Sequence, residues 1–296
     1  MRASLAAGCN FWNVAIFYGT PEYNSMHLLE RYFTKYPEDA DKVVLSVKAG
    51  LNPQTFKPDG SVERTRNSIT YCQKVLNGRK SIDILEMARV DRDTPLETTY
   101  KGLEECVKEG LIGGIGVSEM SAATLRKVAK ITKIECCEVE ISLWSTGIFT
   151  NGTAAACAEN NIVVVGYSPI GRGILSGAIK SPEDIPAGDM RKTMPRFQPG
   201  AFEENLKLVA EVQKVAKEKG CTPAQLAISW VKHQSKLNGN PEIIPIPGAS
   251  TAKRVQENST DVSLSADELA KIQSILAKCE VVGGRYGGPG ALYIEG

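Results

Sequence analysis

Three places in this sequence carry side chains whose types and surroundings could do chemistry. Lys48 ends the apolar run "KVVLSVK". An ammonium buried without a partner is costly, so Lys48 either reaches water at a strand end or faces a cavity or polar partner that uses its charge. Tyr18 stands directly before Gly19 in "CNFWNVAIFYG", the same run that holds Asn13. A tyrosine there anchors a loop or presents a phenol at a site. The third place is "IPGASTAKRVQEN", beginning at Ile246. A strand ends at Pro247-Gly248 and a helix starts within a few residues, offering backbone N–H groups and a positive dipole end to an anion. Lys253 and Arg254 add charge in the first turn; without an anion they are simply a solvated helix face. Metal chemistry has little support, because the chain has two His, His27 and His233, and no CxxC pair. Any redox chemistry would need an organic cofactor.

Positioning these groups is the task of a regular alternation of short β-rich runs and longer helical patterns, which predicts βαβ units around a parallel sheet. Seven strands are expected, at 9–13, 42–49, 82–90, 112–118, 134–142, 161–168 and 242–248. The opening "RASLAAG" reads as a helix. "TPLE" at Thr94, "TPAQ" at Thr222 and "SADE" at Ser265 each place a hydroxyl three residues before Glu or Gln, the pattern of a capping box. Gly8, Gly110 and Gly220 follow helical patterns as left-handed stops. Seven strand–helix units fit a (β/α)8 barrel lacking one unit. In such barrels the carboxyl ends of the strands carry the site, and here those ends hold Asn13, Lys48, Asp91, Ser118 with Glu119, Ser142, Tyr167 with Ser168, and Gly248. No linker composition divides the chain, so one domain over 1–296 is expected. The segment from Gly171 to Gly200 reads as a functional loop or a loose surface excursion, and the glycine-rich tail from about 283 as a frayed end.

Composition narrows the class. The 296 residues are 42% hydrophobic and 23% charged with a net charge of +1, which is globular composition without the concentrated basic patch that nucleic acid or an anionic membrane requires. No window approaches the roughly 18 apolar residues of a membrane span, and the start is too short and too weakly apolar for a signal peptide. A cytoplasmic protein is expected. Its eight Cys are then reduced thiols, most of them small core residues, and the neighbours Cys136 and Cys137 point to opposite faces of a strand.

The ordered set Asn13, Tyr18, Lys48, "ARVD", "GVSE", "GYSPIGRG" and "IPGASTAKRVQEN" resembles the aldo-keto reductase family over nearly the whole chain, and "FYGTPEYNSMHLLERYFTKYPEDADKVVLSVKAG" and "ARVDRDTPLETT" resemble its fungal pyridoxal reductase branch. The resemblance implies a TIM barrel and NADPH-dependent reduction of a small-molecule aldehyde, pyridoxal to pyridoxine in this branch. Tyr18 matches the proton donor to the carbonyl oxygen, and Lys48 matches the ammonium that favours phenolate in the transition state, since a free phenol titrates at about 10. On the cofactor side Ser118, Glu119 and Glu138 match the residues around the nicotinamide carboxamide, and Tyr167 the aromatic residue beneath the ring. Ser168, Ile170, Gly171 and Arg172 match the pyrophosphate loop. Gly248, Ala249, Ser250 and Arg254 match the site of the 2'-phosphate of NADP, with Glu257 and Asn258 at the adenine.

Two positions depart from the family pattern. Asn13 stands where the Asp that pairs with the lysine is usual, and Ala88 where a His is usual. Asn accepts a hydrogen bond but supplies no counter-charge, and Ala donates nothing. Arg89 is expected on the opposite face of its strand, with Glu86 on the face of Ala88. The family also carries a hairpin and a first strand ahead of the helix that begins at Met1. Without them the sheet keeps two unpaired edges, so an upstream-extended chain is expected to be the more soluble and active one. The rival reading is a nucleotide-binding module that keeps the 248–258 segment without turnover.

Overall fold

The computed structural model describes residues 1–52 and 54–294. Seven strands follow chain order in the sheet: β1 (Phe11–Ala15), β2 (Val44–Ala49), β3 (Ile84–Met87), β4 (Gly114–Ser118), β5 (Cys136–Glu140), β6 (Val163–Tyr167) and β7 (Ile243–Ile246). Six fall within their expected runs, while β1, expected to end at 13, runs on to Ala15, and helices separate the strands as in a (β/α) barrel. No helix among the described residues is long and apolar enough to cross a membrane.

The chain packs as two compact units. The first comprises Met1–Glu138, Asn151–Val164 and the chain from Tyr293; the second comprises Val139–Thr150 and Val165–Leu292. In the first unit β1 to β5 pair in parallel, with Ala15 opposite Lys48, Lys48 opposite Glu86, Glu86 opposite Gly116, Gly116 opposite Cys136 and Ser118 opposite Glu138. Because side chains alternate along a strand and match across a parallel register, this pairing sorts the residues onto two faces. One face carries Asn13, Ser46, Lys48, Glu86, Ser118 and Glu138. The other carries Leu45, Val47, Leu85, Met87, Ile115 and Val117, all buried. Trp12, at the start of that register, stacks on Phe33 of the helix Ser25–Lys35 with ring centroids 5.9 Å apart. The second unit buries Trp144, Phe197, Phe202, Leu208 and Trp230 around the helices Ala201–Lys219 and Pro223–His233.

The caps form at two of the three expected positions. Thr222 and Gln225 bond reciprocally, as do Ser265 and Glu268. "TPLE" does not: its helix begins at Leu96 without a side-chain cap, and the Thr94 hydroxyl instead donates to Asp91 at 2.7 Å. A strand-end carboxylate one turn away offers a charged acceptor, which the hydroxyl prefers to a neutral cap geometry. Gly8, Gly110 and Gly220 take the left-handed conformation.

The segment 171–200 is built from four short 3-10 turns, at Gly171–Ser176, Pro182–Asp184, Met190–Thr193 and Pro195–Phe197. The frayed tail expected after 283 is a correction. Arg196 Nε donates to the Gly283 carbonyl at 3.1 Å, the Tyr286 and Tyr167 hydroxyls lie 2.8 Å apart, and the Arg172 guanidinium covers the Tyr286 ring at 4.5 Å. The composition suggested fraying, but one Tyr and several arginines are enough to tie a glycine-rich segment down. Residues 295 and 296 lie outside the described residues.

Phe33 is fully buried, so Phe33→Ala should cost about 3–5 kcal/mol of stability, read from urea unfolding. A loss below about 1 kcal/mol would mean that this helix is not seated on the sheet as described.

Candidate active site

The loop after β1 is fixed by backbone contacts before any side chain matters. Ser25 N–H donates to the Tyr18 carbonyl at 2.9 Å and Tyr18 N–H to that of Ala15 at 3.1 Å. Asn24 caps the helix Ser25–Lys35 through Met26 N–H and donates back to the Ile16 carbonyl and the Tyr71 hydroxyl. Gly19, at φ +116°, leaves no room for a side chain, since a Cβ would lie 2.4 Å from the Tyr23 carbonyl oxygen. The backbone of Tyr18 is therefore held while its side chain stays 48% exposed. That is how a loop presents a phenol to a ligand rather than to the core.

Lys48 lies beneath it. Lys48 is 3% exposed and its Nζ sits 5.7 Å from the centroid of the Tyr18 ring. Its neighbours come from three strands. Asn13 Oδ1 accepts from Nζ at 2.5 Å, Glu138 Oε2 accepts at 2.5 Å, and Glu86 Oε1 lies at 3.5 Å. Asn13 is turned so that its amide also donates to Glu138 Oε2 at 2.6 Å and to Glu86 Oε2 at 3.3 Å. The Ser46 hydroxyl donates to Glu86 at 3.4 Å. The phenol and ammonium singled out in the sequence thus meet on one side of the sheet, with Asn13 as the third member.

The charges in this group decide its protonation. Burial pulls the Lys48 ammonium down, but Glu86 and Glu138 outweigh that and hold it above the ordinary lysine range. Burial, reinforced by Glu138, pushes the fully buried Glu86 carboxyl up to about 8 against the opposing pull of Lys48. Of the two carboxyls, Glu138 makes the closer contact with the ammonium, at 2.5 Å against 3.5 Å for Glu86. Gly116 makes room for the group: a Cβ there would lie 3.1 Å from both Glu86 Cγ and Cys136 Sγ.

The residues matched to the cofactor fall in both units. In the first, Ser118 and Glu119 are buried, and Glu119, at φ +52°, donates its N–H to the Glu138 carbonyl at 2.9 Å. Arg89 corrects an expectation. Strand β3 ends at Met87, so strict alternation no longer governs it, and its Nη1 approaches the Ser118 hydroxyl at 3.5 Å. In the second unit, Ser168 and Arg172 adopt left-handed φ values of +53° and +57°, and Arg172 pairs with Glu140 at 2.8 Å. Gly248, Ala249, Ser250 and Arg254 are exposed at the start of the helix Ala252–Ser259, with Thr251 as its cap. Asn258 donates to the Gly248 carbonyl at 3.4 Å, and Glu257 lies 3.8 Å from Arg254.

Two strand-end groups have structural duties instead. Asp91 accepts from Gly60 and Asp93 N–H groups, and Ser142 Oγ accepts from Trp144 N–H in a turn. Sequence reasoning noted the face of Glu86 but not its role. The signal was there, for an acid inside "IDILEMARV" has the same burial problem as Lys48 in its own run. Tyr286 and Glu140, now seen around Arg172, gave no comparable signal. No group of three or more metal-ligating side chains occurs among the described residues.

The parallel α/β fold that brings a buried lysine beside a presented tyrosine has known relatives. The Aldo/keto reductase family model matches residues 1–277, and the chain belongs to that family. It is 36% identical over 293 residues to "Probable pyridoxal reductase 2" of Schizosaccharomyces pombe, covering 97% of this chain and 87% of that one. It is also 36% identical to an aldo-keto reductase of the same yeast designated with NADP(+), over 96% of this chain and 83% of that protein. A glycerol dehydrogenase from Gluconobacter oxydans shares the fold at a TM-score of 0.81 and 23% identity, covering 97% and 87% of the two chains.

Glu86 gives a test by pH. Its folded value lies above the ordinary 4.5 of a glutamate, so its contribution to stability is complete below that value and is lost as pH rises toward about 8. Unfolding free energies measured between about pH 5 and about pH 8 should decline more steeply in wild type than in Glu86→Gln, whose amide has no proton to lose. Equal slopes would contradict a Glu86 carboxyl raised by its burial.

Proposed function

We propose that this protein reduces a small-molecule aldehyde or ketone to the alcohol with NADPH, and that pyridoxal, reduced to pyridoxine, is its substrate. The observation that carries the reading is the Lys48 ammonium held 5.7 Å from the ring of an exposed Tyr18. Reduced nicotinamide, when bound, supplies a hydride to the carbonyl carbon. Tyr18 Oη then gives its proton to the carbonyl oxygen, and the positive charge of Lys48 lowers the cost of the phenolate that results. The phenolate regains its proton from water. Pairing with Glu138 fixes the ammonium in place while reducing its field, so the geometry of the group matters as much as its charge.

Support for a pyridine substrate comes from the surroundings of Tyr18. Phe17 packs edge-on against Tyr18 at 5.4 Å and against Phe56 at 6.3 Å, while Phe56 is 56% exposed at φ +57°. A bulky residue in that backbone region is strained, and strain of this kind collects where a side chain is aimed at a ligand. The pyridoxal reductase relative points the same way. Ala88, buried and without a hydrogen-bond donor, leaves Tyr18 as the principal donor to the substrate oxygen.

For the cofactor, the start of the helix Ala252–Ser259 is exposed, capped by Thr251 with Lys253 and Arg254 in its first turn, and that positive end with two cationic side chains fits a phosphate monoester. We assign the 2'-phosphate to it and hence a preference for NADPH over NADH. Asn258 and Glu257, already tied to Gly248 and Arg254, would meet the adenine.

Steady-state NADPH consumption with pyridoxal tests the reading. Tyr18→Phe should lose about a hundredfold or more of kcat while still binding NADPH. Binding without consumption by the wild type would favour the module that holds a nucleotide without turnover, and an unchanged rate in Tyr18→Phe would remove Tyr18 as the acid. Arg254→Gln should raise the KM for NADPH by about tenfold or more and leave that for NADH nearly unchanged, as expected for loss of one charge-assisted contact.

A further inference from the structure

The buried lysine needs a negative partner, and the residue facing it from β1 is an amide. We propose that Glu138 of β5 supplies the counter-charge that positions Lys48, and that Asn13 and Glu138 are a matched pair in which the carboxylate can stand at one position or the other but not at both. The inference rests on the reading of Tyr18 and Lys48 given above, and makes Glu138 a positioning residue for that reaction.

The hydrogen bonds argue for it directly. Glu138 Oε2 accepts from Lys48 Nζ at 2.5 Å and from Asn13 Nδ2 at 2.6 Å. Asn13 is used at both ends, its oxygen toward the ammonium at 2.5 Å and its nitrogen toward the carboxyls of Glu138 and Glu86. An amide can do this and a carboxylate cannot, because a carboxylate has no donor to offer Glu138. An Asp at position 13 would set two acceptors against each other where a 2.6 Å hydrogen bond now stands. Conversely, once Glu138 is neutral, an Asp at position 13 would again face the ammonium with a charge.

Glu86 completes the balance. It is fully buried, and its Oε1 has no hydrogen-bond partner. The titratable groups facing it are Lys48 of β2, Glu138 and Cys136 of β5, and Tyr18 through Lys48. Burial keeps the Cys136 thiol protonated, so the changing charges are those of Lys48, Glu138 and Glu86. Burial and Glu138 raise the Glu86 carboxyl, and loss of its proton as pH rises adds a negative charge beside Lys48, which opposes phenolate formation at Tyr18.

The test is a charge exchange in the full chain. Asn13→Asp and Glu138→Gln should each lower kcat/KM by about tenfold or more, and the double variant N13D/E138Q should recover most of the loss, a sign reversal expected only for directly coupled sites. The pH profile separates positioning from simple packing. In Glu138→Gln the alkaline limb of kcat/KM should move to lower pH, because a negative neighbour that raised Glu86 is gone, and in the double variant it should return. Urea unfolding supplies a readout independent of turnover: both single variants less stable than wild type, the double recovered. If the wild type reduces nothing but this stability pattern holds, the reductase reading fails and the charge placement stands. A double variant no better than the worse single one, or a Glu138→Gln protein with wild-type stability and pH limb, overturns the proposal.

Discussion

The structure of the first unit turns on the ammonium of a lysine, Lys48, that is 3% exposed. A charge so far from water must be paired, and the pairing groups must be hydrogen-bonded in turn, or the position is lost. Four adjacent or facing strands answer that demand with Asn13, Ser46, Glu86 and Glu138. The parallel register brings them to one face, since Lys48 lies opposite Glu86 while Asn13 and Glu138 sit on the same side of their own strands. The apolar alternates, Leu45, Val47, Leu85 and Val117, go to the other face. One period-two pattern thus yields both the core and the charged group.

The same demand explains why departures from the family pattern at positions 13 and 88 need not disable the site. Asn13 removes a charge from β1, and Glu138 restores one from β5 at hydrogen-bonding distance. Where a His was expected, Ala88 leaves a buried methyl just past the end of β3, with Glu86 two residues earlier on that strand and the Arg89 guanidinium reaching Ser118. Charge and donors have moved around the group while the ammonium has stayed where it was.

Most of the fold was legible because its signals are local. Alternating runs placed all seven strands, and the hydroxyl–acid spacing placed the caps at Thr222 and Ser265. It failed at Thr94, where a carboxylate outside the local pattern, Asp91, captured the hydroxyl. Lys48 stood out because a charged group ending an apolar run must be accounted for, whereas Tyr18 and Asn13 took their roles from the family likeness. Glu138 was read by likeness alone as a carboxamide partner; that its carboxylate faces Lys48 depends on a register between distant strands, which spacing does not encode. The tail was misjudged for a related reason. Glycine content reports the entropy of a free chain, and it says nothing of Tyr286 meeting Tyr167 or of Arg196 holding Gly283.

Backbone strain follows the same positions. Glu119 directly after β4 and Ser168 directly after β6 both take left-handed φ values, as does Arg172 four residues further on. Such conformations cost about 1–3 kcal/mol for residues other than glycine, so the surroundings must over-determine them. At Glu119 the determinant is visible: its N–H extends the pairing of β4 with β5 by donating to the Glu138 carbonyl. That bond ties the backbone of Glu138 to the strand end while its side chain holds Lys48. The strain after β4 and the charge beside Lys48 are in this way consequences of how one residue, Glu138, is held.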